Sequence, residues 1–397
     1  MKRAIVLAGG GSKGSYQLGV WKALREMDIK YDIVTGNSIG SFNATLMVQD
    51  DFDKAWELWN AMSSDKIMDS SFGTSEDYDY YSENRDQIMP FLKKYLSNKG
   101  ADITPFINLL DMYIDEKKFF KSKIDYGVMT VKSPGLAPKE VIKSEIKPGY
   151  LKKWVQASSA IFPAFPMCKI DDETYIDGLY YDNLPIGTAF RLGAEEVIAV
   201  ALRPNISKKK YSGNPLVKFI EPSESLGAML TFENQGIKKN ISRGYNDAMR
   251  TLGNFQGIEY TFKNVNIKTC EEIARKAILA LMNKELENEI SKASLISRYV
   301  SPTPLTDKIY KLGDKCSNNL FTTFIISLET CMKKLNFDYY EVYDVVEVLR
   351  SLEAKIPPEI IRIIKMIKSK NFKVEKLQFL PSEDVVSALL IFALISK

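Results

Sequence analysis

No histidine occurs among the 397 residues. This absence removes the Ser-His-Asp triad, every other imidazole base and all histidine-ligated zinc sites. Cysteine is scarce: Cys168, Cys270, Cys316 and Cys331 form no C-x-x-C pair and no metal-ligand spacing. They read as buried thiols in a reducing compartment, and the expectation is a protein with neither metal nor cofactor. Long apolar runs are missing too. The most apolar C-terminal stretch, VVSALLIFALIS, has 12 residues, short of the ~20 that span a bilayer. At the N-terminus, only five apolar residues (Ala4 to Ala8) precede the first glycine, too few for a signal-peptide core, and cleavage there would remove the turn described next. Charge is nearly balanced, with 54 basic against 50 acidic residues and a net +4. The clearest basic run is SKKKY at 207–211, too sparse for a nucleic-acid partner. Together these absences predict a cytoplasmic protein whose membrane contact is peripheral.

What is present begins with AIVLAGGGSKGSYQLG, where an apolar strand meets a helix pattern through a glycine-rich turn. Gly9, Gly11 and Gly14 fit G-x-G-x-x-G, the dinucleotide-binding spacing. The same bare amides, reinforced by the positive end of the following helix, suit the oxyanion of an acyl-transfer reaction. A Walker loop is excluded because Lys13 precedes Gly14 and no G-K-[ST] follows.

The second strand discriminates between these uses. A dinucleotide fold wants an acidic residue at the end of that strand. Here Asp32 stands at its start, and its end reads Gly36-Asn37-Ser38-Ile39-Gly40. That is G-x-S-x-G, a nucleophile elbow between the strand and the helix pattern SFNATLMVQ. Without histidine, the serine needs a carboxylate, a lysine or another group as its base. A carboxylate is weaker than imidazole by roughly 2.5 pKa units, so it has to be held against the hydroxyl and partly desolvated. The best placed is Asp177, at the tip of the alternating strand in ETYIDGLYYDNLP, with Asp182 as its nearest rival.

Three motifs converge here. GGGSKG at 9–14, GNSIG at 36–40 and YIDGLYYDNLP at 175–185 resemble the patatin-like phospholipases, as do VQASSAIFPAFP at 155–166 and GYNDAM at 244–249. The resemblance spans about residues 1–255. It implies a serine-aspartate dyad of Ser38 and Asp177, with Gly36 and Gly40 shaping the elbow. It also implies an oxyanion hole built from Gly9, Gly10, Gly11, Lys13 and Gly14, Lys13 matching the family's basic residue beside that hole. The implied fold is an α/β three-layer sandwich with a mainly parallel central sheet, and the implied substrate is a phospholipid or other lipid ester. One departure is Leu179, where the family's D-G-G or D-G-A motif has a small residue; a side chain there narrows the acyl pocket or shifts the aspartate. The enzyme alternatives are a carboxylesterase or acyltransferase on soluble esters, and the alternative of another class is a nucleotide-binding module.

Strand and helix patterns alternate to about residue 260, the expected extent of a catalytic domain over 1–260. Thr269 and Glu272 read as a capping box opening a long helix, and further helix patterns around 319–335, 338–352, 357–369 and 382–396 predict a helical domain over 261–397. Between serine and aspartate, TPFINLLDMYIDEKKFFKSK at 104–123 mixes aromatics with lysines. It has two readings, a surface-seeking lid or helices packing their apolar side on the sheet.

Overall fold

A computed structural model describes residues 1–63, 102–205, 211–253, 255–291, 320–369, 377 and 379–395. Tyr78, Tyr80, Tyr81, Cys316 and the lysines of SKKKY lie outside the described residues. The chain forms two compact units, Met1–Leu252 and Gly253–Lys397.

In chain order the first unit contains β1 (Arg3–Leu7), a 3-10 turn (Gly11–Gly14), α1 (Ser15–Glu26), β2 (Ile33–Asn37), α2 (Ile39–Gln49) and α3 (Phe52–Asn60). Then come α4 (Thr104–Tyr113), α5 (Glu116–Lys121), β3 (Asp125–Ser133), β4 (Ala137–Ile142), α6 (Leu151–Ser158), β5 (Cys168–Ile170) and β6 (Glu173–Asp177). It closes with α7 (Ile186–Arg191), β7 (Glu196–Val200), β8 (Val217–Ile220) and α8 (Asn234–Thr251). The sheet runs β5-β6-β3-β2-β1-β7-β8, with β4 also paired to β3. Pairings from β3 through β2, β1 and β7 to β8 are parallel, whereas β4 and β6 meet β3 antiparallel. Continuous apolar runs are what parallel strands covered on both faces require. In β1, Ala4 and Val6 pack with Ile186 and Ala189 of α7, while the alternate residues Ile5 and Leu7 are equally buried on the opposite face.

The segment 104–123 is helix packing and not a free surface lid. Phe106, Leu109, Leu110 and Tyr113 of α4 and Phe119 of α5 are buried. The first helix ends at Ile114, and the Asp115 side chain caps the second by accepting from the Lys118 amide at 3.1 Å.

Helices α1 and α8 meet backbone to backbone. A Cβ built on Gly19 would lie 1.9 Å from the Ile241 carbonyl oxygen, and one on Gly244 would lie 1.9 Å from that of Tyr16. Beside this contact the Tyr16 hydroxyl donates to Asp247 at 2.7 Å, and Arg250 pairs with the same carboxylate. Gly19→Ala is therefore expected to destabilise the chain by about 1–3 kcal/mol in urea unfolding, although Gly→Ala in an unhindered helix stabilises. A gain in stability would mean that the helices separate without cost.

The second unit contains β9 (Thr261–Lys263), α9 (Ile267–Ser291), α10 (Leu320–Lys334), β10 (Val342–Asp344), α11 (Val345–Ala354), α12 (Pro358–Lys368) and α13 (Ser382–Ile395). Its core already includes Tyr260 and Phe262, both fully buried, beside Phe324, Leu328 and Leu389. Two expectations are corrected. The cap of α9 is Asn266, whose Oδ1 accepts from the Thr269 amide at 3.2 Å, so Thr269 lies inside the helix. The 338–352 pattern begins as strand β10, paired in parallel with β9, before Asp344 caps α11 through the Val346 amide. The carboxylate of Glu329, on α10, accepts from the backbone amides of Ile258, Glu259 and Tyr260, which ties the first loop of this unit to its core. Among the described residues no helix is long and apolar enough to cross a membrane.

Candidate active site

Strand β2 turns into α2 through Ser38, whose φ of 53° and ψ of −128° are strained for a residue with a side chain. Such conformations typically cost 1–3 kcal/mol and persist where the surroundings enforce them. Here the enforcement is close packing. A Cβ on Gly36 would lie 2.4 Å from the Gly40 carbonyl oxygen, and one on Gly40 would lie 2.4 Å from that of Leu7. No side chain fits at either glycine. The Ser38 amide donates to Ser158 Oγ at 2.9 Å, the Ser158 hydroxyl in turn donates to the Met129 carbonyl at 2.6 Å, and the Ser38 side chain stays half-buried at the start of α2.

Asp177 ends β6 and is 1 % exposed. Its Oδ1 accepts from the Leu179 amide at 2.7 Å and from Asn37 Nδ2 at 3.0 Å. Its Oδ2 is buried with no hydrogen-bond partner of regular geometry among the described residues, yet the Ser38 hydroxyl is close enough to favour the charged carboxylate. Burial pushes the Asp177 carboxyl up to about 6, and the contacts from Leu179, Ser38 and Asn37 hold it from rising further. Asp182 sits elsewhere in its loop, half-buried, and accepts from the Leu184 amide at 3.2 Å as a turn residue does.

Strand β3 brings the serine and the aspartate together across the sequence. In its register Met129 pairs with Asn37, the last residue of β2, and Thr130 pairs with Asp177, the last residue of β6. Two strand ends thus meet on consecutive positions of a third. Gly178 permits the approach: a Cβ there would lie 2.3 Å from Asn37 Oδ1.

The glycine turn lies against this pair, since a Cβ on Gly9 would come within 2.9 Å of Ser38 Cβ. Not every amide of the turn is available to a ligand. Gly9 donates to the Asn183 carbonyl, Ser12 to that of Met229 and Lys13 to that of Gly10. The amides of Gly10 and Gly11 donate to no acceptor among the described residues. Lys13 is only 7 % exposed, and Gly14 is buried beneath Ile39, with no room for a Cβ.

Two cavities flank the turn. One is apolar, formed by Ser38 and Gly11 with Ile39, Phe106, Phe165 and Phe232. The other, of about 250 Å³, is bordered by Gly9, Gly10, Lys13, Leu179 and Arg203. The Leu179 side chain therefore stands in the second cavity and leaves the apolar one open, and its amide still orients Asp177. Several contributors were not evident from the motifs. Asn37 also donates to Asn183 Oδ1 at 2.9 Å, and Asn183 Nδ2 donates to the Gly9 carbonyl at 3.0 Å, which links aspartate, elbow and turn. Asn37 is the variable position of G-x-S-x-G and Asn183 follows Asp182, so spacing alone carried no signal for either. Met229 and Phe232 come from a loop with no motif.

Residues 5–190 match the family model described as patatin-like phospholipase. Lysophospholipase nte1 of Aspergillus terreus is 28% identical over 200 residues, covering 49% of this chain and 12% of that protein. Patatin-like phospholipase domain-containing protein 6 of Homo sapiens is 28% identical over 205 residues, covering 50% of this chain and 13% of that one. The chain therefore spans about an eighth of the length of these curated relatives. Among solved structures, VipD from Legionella pneumophila aligns at a TM-score of 0.36 and 16% identity, covering 99% of this chain and 90% of that chain. The stretch that matches, residues 5–190, carries the elbow, the glycine turn and the aspartate strand, and it is this part of the chain that is similar to the patatin-like phospholipases.

Proposed function

We propose that the chain is a lipid acyl hydrolase of phospholipase A type that cleaves carboxylic esters of glycerolipids, with Ser38 as nucleophile and Asp177 as base. The observation that carries this reading is the buried Oδ2 of Asp177, unpartnered beside the hydroxyl of a serine held in a strained elbow. An orphaned carboxylate oxygen is costly unless a proton passes to it. The similarity to lysophospholipase nte1 supports a lipid ester as substrate.

In this mechanism the ester carbonyl lies over Ser38 with its acyl chain in the apolar cavity between Phe106, Phe165 and Phe232. As Ser38 Oγ attacks, its proton moves to Asp177 Oδ2, and the carbonyl oxygen becomes an oxyanion facing the Gly10 and Gly11 amides. Donors of this kind are typically worth ~3–4 kcal/mol each in the transition state. The tetrahedral intermediate collapses, Asp177 returns the proton to the departing alcohol, and an acyl-serine remains. Water then attacks with Asp177 again as base and releases the fatty acid. A carboxyl raised to about 6 is largely ionised at neutral pH and a far better base than one at its ordinary value.

The direct test is covalent labelling. A fluorophosphonate probe is expected to modify Ser38 stoichiometrically, identified by peptide mass, and pre-labelled protein is expected to hydrolyse no ester. Unlabelled Ser38 together with saturable dinucleotide binding would replace this reading with a nucleotide-binding module.

A further inference from the structure

Two asparagines lie between the aspartate and the glycine turn and take no part in the proposed proton transfers. Asn37 is fully buried, and its Nδ2 donates to Asp177 Oδ1 at 3.0 Å and to Asn183 Oδ1 at 2.9 Å. Asn183 Nδ2 donates in turn to the Gly9 carbonyl at 3.0 Å, and the Gly9 amide donates back to the Asn183 carbonyl at 3.2 Å. The two ends of this chain, an ionised carboxylate and a backbone carbonyl, accept and cannot donate. Each amide is therefore held in one orientation, because turning either over would set oxygen against oxygen. The bond to Asp177 is strongest when the carboxylate is charged, and among the described residues no ionised side chain acts on that carboxylate. Its charge depends on burial and on neutral donors, of which Asn37 is one.

We propose that Asn37 and Asn183 are positioning residues that act as one unit, holding Asp177 in its charged form and the glycine turn in place together. The inference rests on the ester-hydrolase reading and adds two residues to it. Gly9 leads into Gly10 and Gly11, the amides assigned above to the oxyanion, so a shift of Gly9 moves both donors. The Asn183 side chain bonds to Asn37 and to Gly9 and, among the described residues, not to Asp177. Its effect on the base therefore passes through Asn37. Losing a donor to the charged form raises the pKa of a carboxyl, so loosening Asn37 moves the base toward the protonated form that cannot accept from Ser38.

The test follows hydrolysis of a soluble p-nitrophenyl ester across pH by wild type, Asn37→Ala, Asn183→Ala and the double variant. Asn183→Ala is expected to lower kcat about tenfold with KM nearly unchanged, since the turn is needed in the transition state. It is also expected to move the acidic limb of kcat/KM upward by about half a pH unit, and Asn37→Ala by about one unit. The double variant is expected to lose no more than the more damaged single variant, as two members of one unit do. Should Asn37→Ala fail to fold, Asn37→Asp keeps the shape of the side chain. A second carboxylate beside Asp177 is expected to raise the limb further, with activity returning at high pH, which a misfolded site cannot show. An acidic limb that stays at the wild-type pH in Asn183→Ala, or losses that multiply in the double variant, would make the two asparagines separate structural contacts and overturn the inference while the hydrolase reading stands. Wild type that hydrolyses no ester and takes no fluorophosphonate at Ser38 would remove both.

Discussion

Ser38→Ala is expected to reduce ester hydrolysis by about 10³-fold or more while the fold persists. The loss is large because the hydroxyl forms the covalent bond, and no amount of oxyanion stabilisation replaces a missing nucleophile. The fold persists because Ser38 is half-buried and the contacts that hold the elbow come from its backbone: its amide donates to Ser158 Oγ and its carbonyl accepts from Ser41. Alanine keeps both. Steady-state hydrolysis of a chromogenic ester, with a urea denaturation curve on the same preparation, measures the two halves of this expectation. Pure mutant protein retaining more than a few per cent of wild-type turnover would remove Ser38 from the mechanism.

Asp177→Asn is expected to produce a protein that is both inactive and more stable. Removing the base should slow single-turnover acylation by about 10²–10⁴-fold. The amide oxygen can still accept from Leu179 and Asn37, the two donors that now hold Oδ1, so the geometry is retained and only the proton acceptor is lost. The stability gain follows from the carboxyl's displacement from 3.8 to about 6. Between those values the native state binds more protons than the unfolded chain, so the native carboxylate subtracts stability as pH rises through that window. At pH 7 the penalty is fully present and amounts to about 3 kcal/mol at 1.36 kcal/mol per unit. The mutant should therefore exceed wild type by up to about 3 kcal/mol at pH 7 and by little at pH 4, read from urea unfolding at both. For the same reason the acidic limb of wild-type kcat/KM should fall near pH 6. Asp182→Asn serves as the comparator, because its carboxylate accepts from the Leu184 amide as a turn residue does. A dead Asp182 mutant beside an active Asp177 mutant would reverse the assignment.

Much of this arrangement was legible in the sequence because its determinants are local. The absence of histidine limited the base to other groups. Gly36 and Gly40 announced the elbow because a tight strand-to-helix turn tolerates no side chain at either position, and the contacts of 2.4 Å found there are the reason. Strand β1 was visible as an apolar run, since a strand covered on both faces is largely apolar. Segment 104–123 stayed ambiguous between lid and packed helix for the complementary reason. An amphipathic stretch specifies that it has an apolar face and not what covers it, and only the fold shows Phe106 and Phe119 buried.

By itself, then, the sequence determined which chemical groups were on hand: a serine in an elbow, a glycine turn, candidate carboxylates and no imidazole. Which carboxylate faces the serine, and in what protonation state, was decided by tertiary structure alone. The register of β3 sets the ends of β2 and β6 on Met129 and Thr130, and Asp177 thereby becomes buried with Oδ2 facing no hydrogen-bond partner of regular geometry among the described residues. Which amides of the glycine turn are already engaged was decided in part the same way, Asn183 taking that of Gly9 and Met229 that of Ser12 from far along the chain. Burial and hydrogen-bond partnership are properties of neighbours in space, and no spacing of motifs along the chain encodes them.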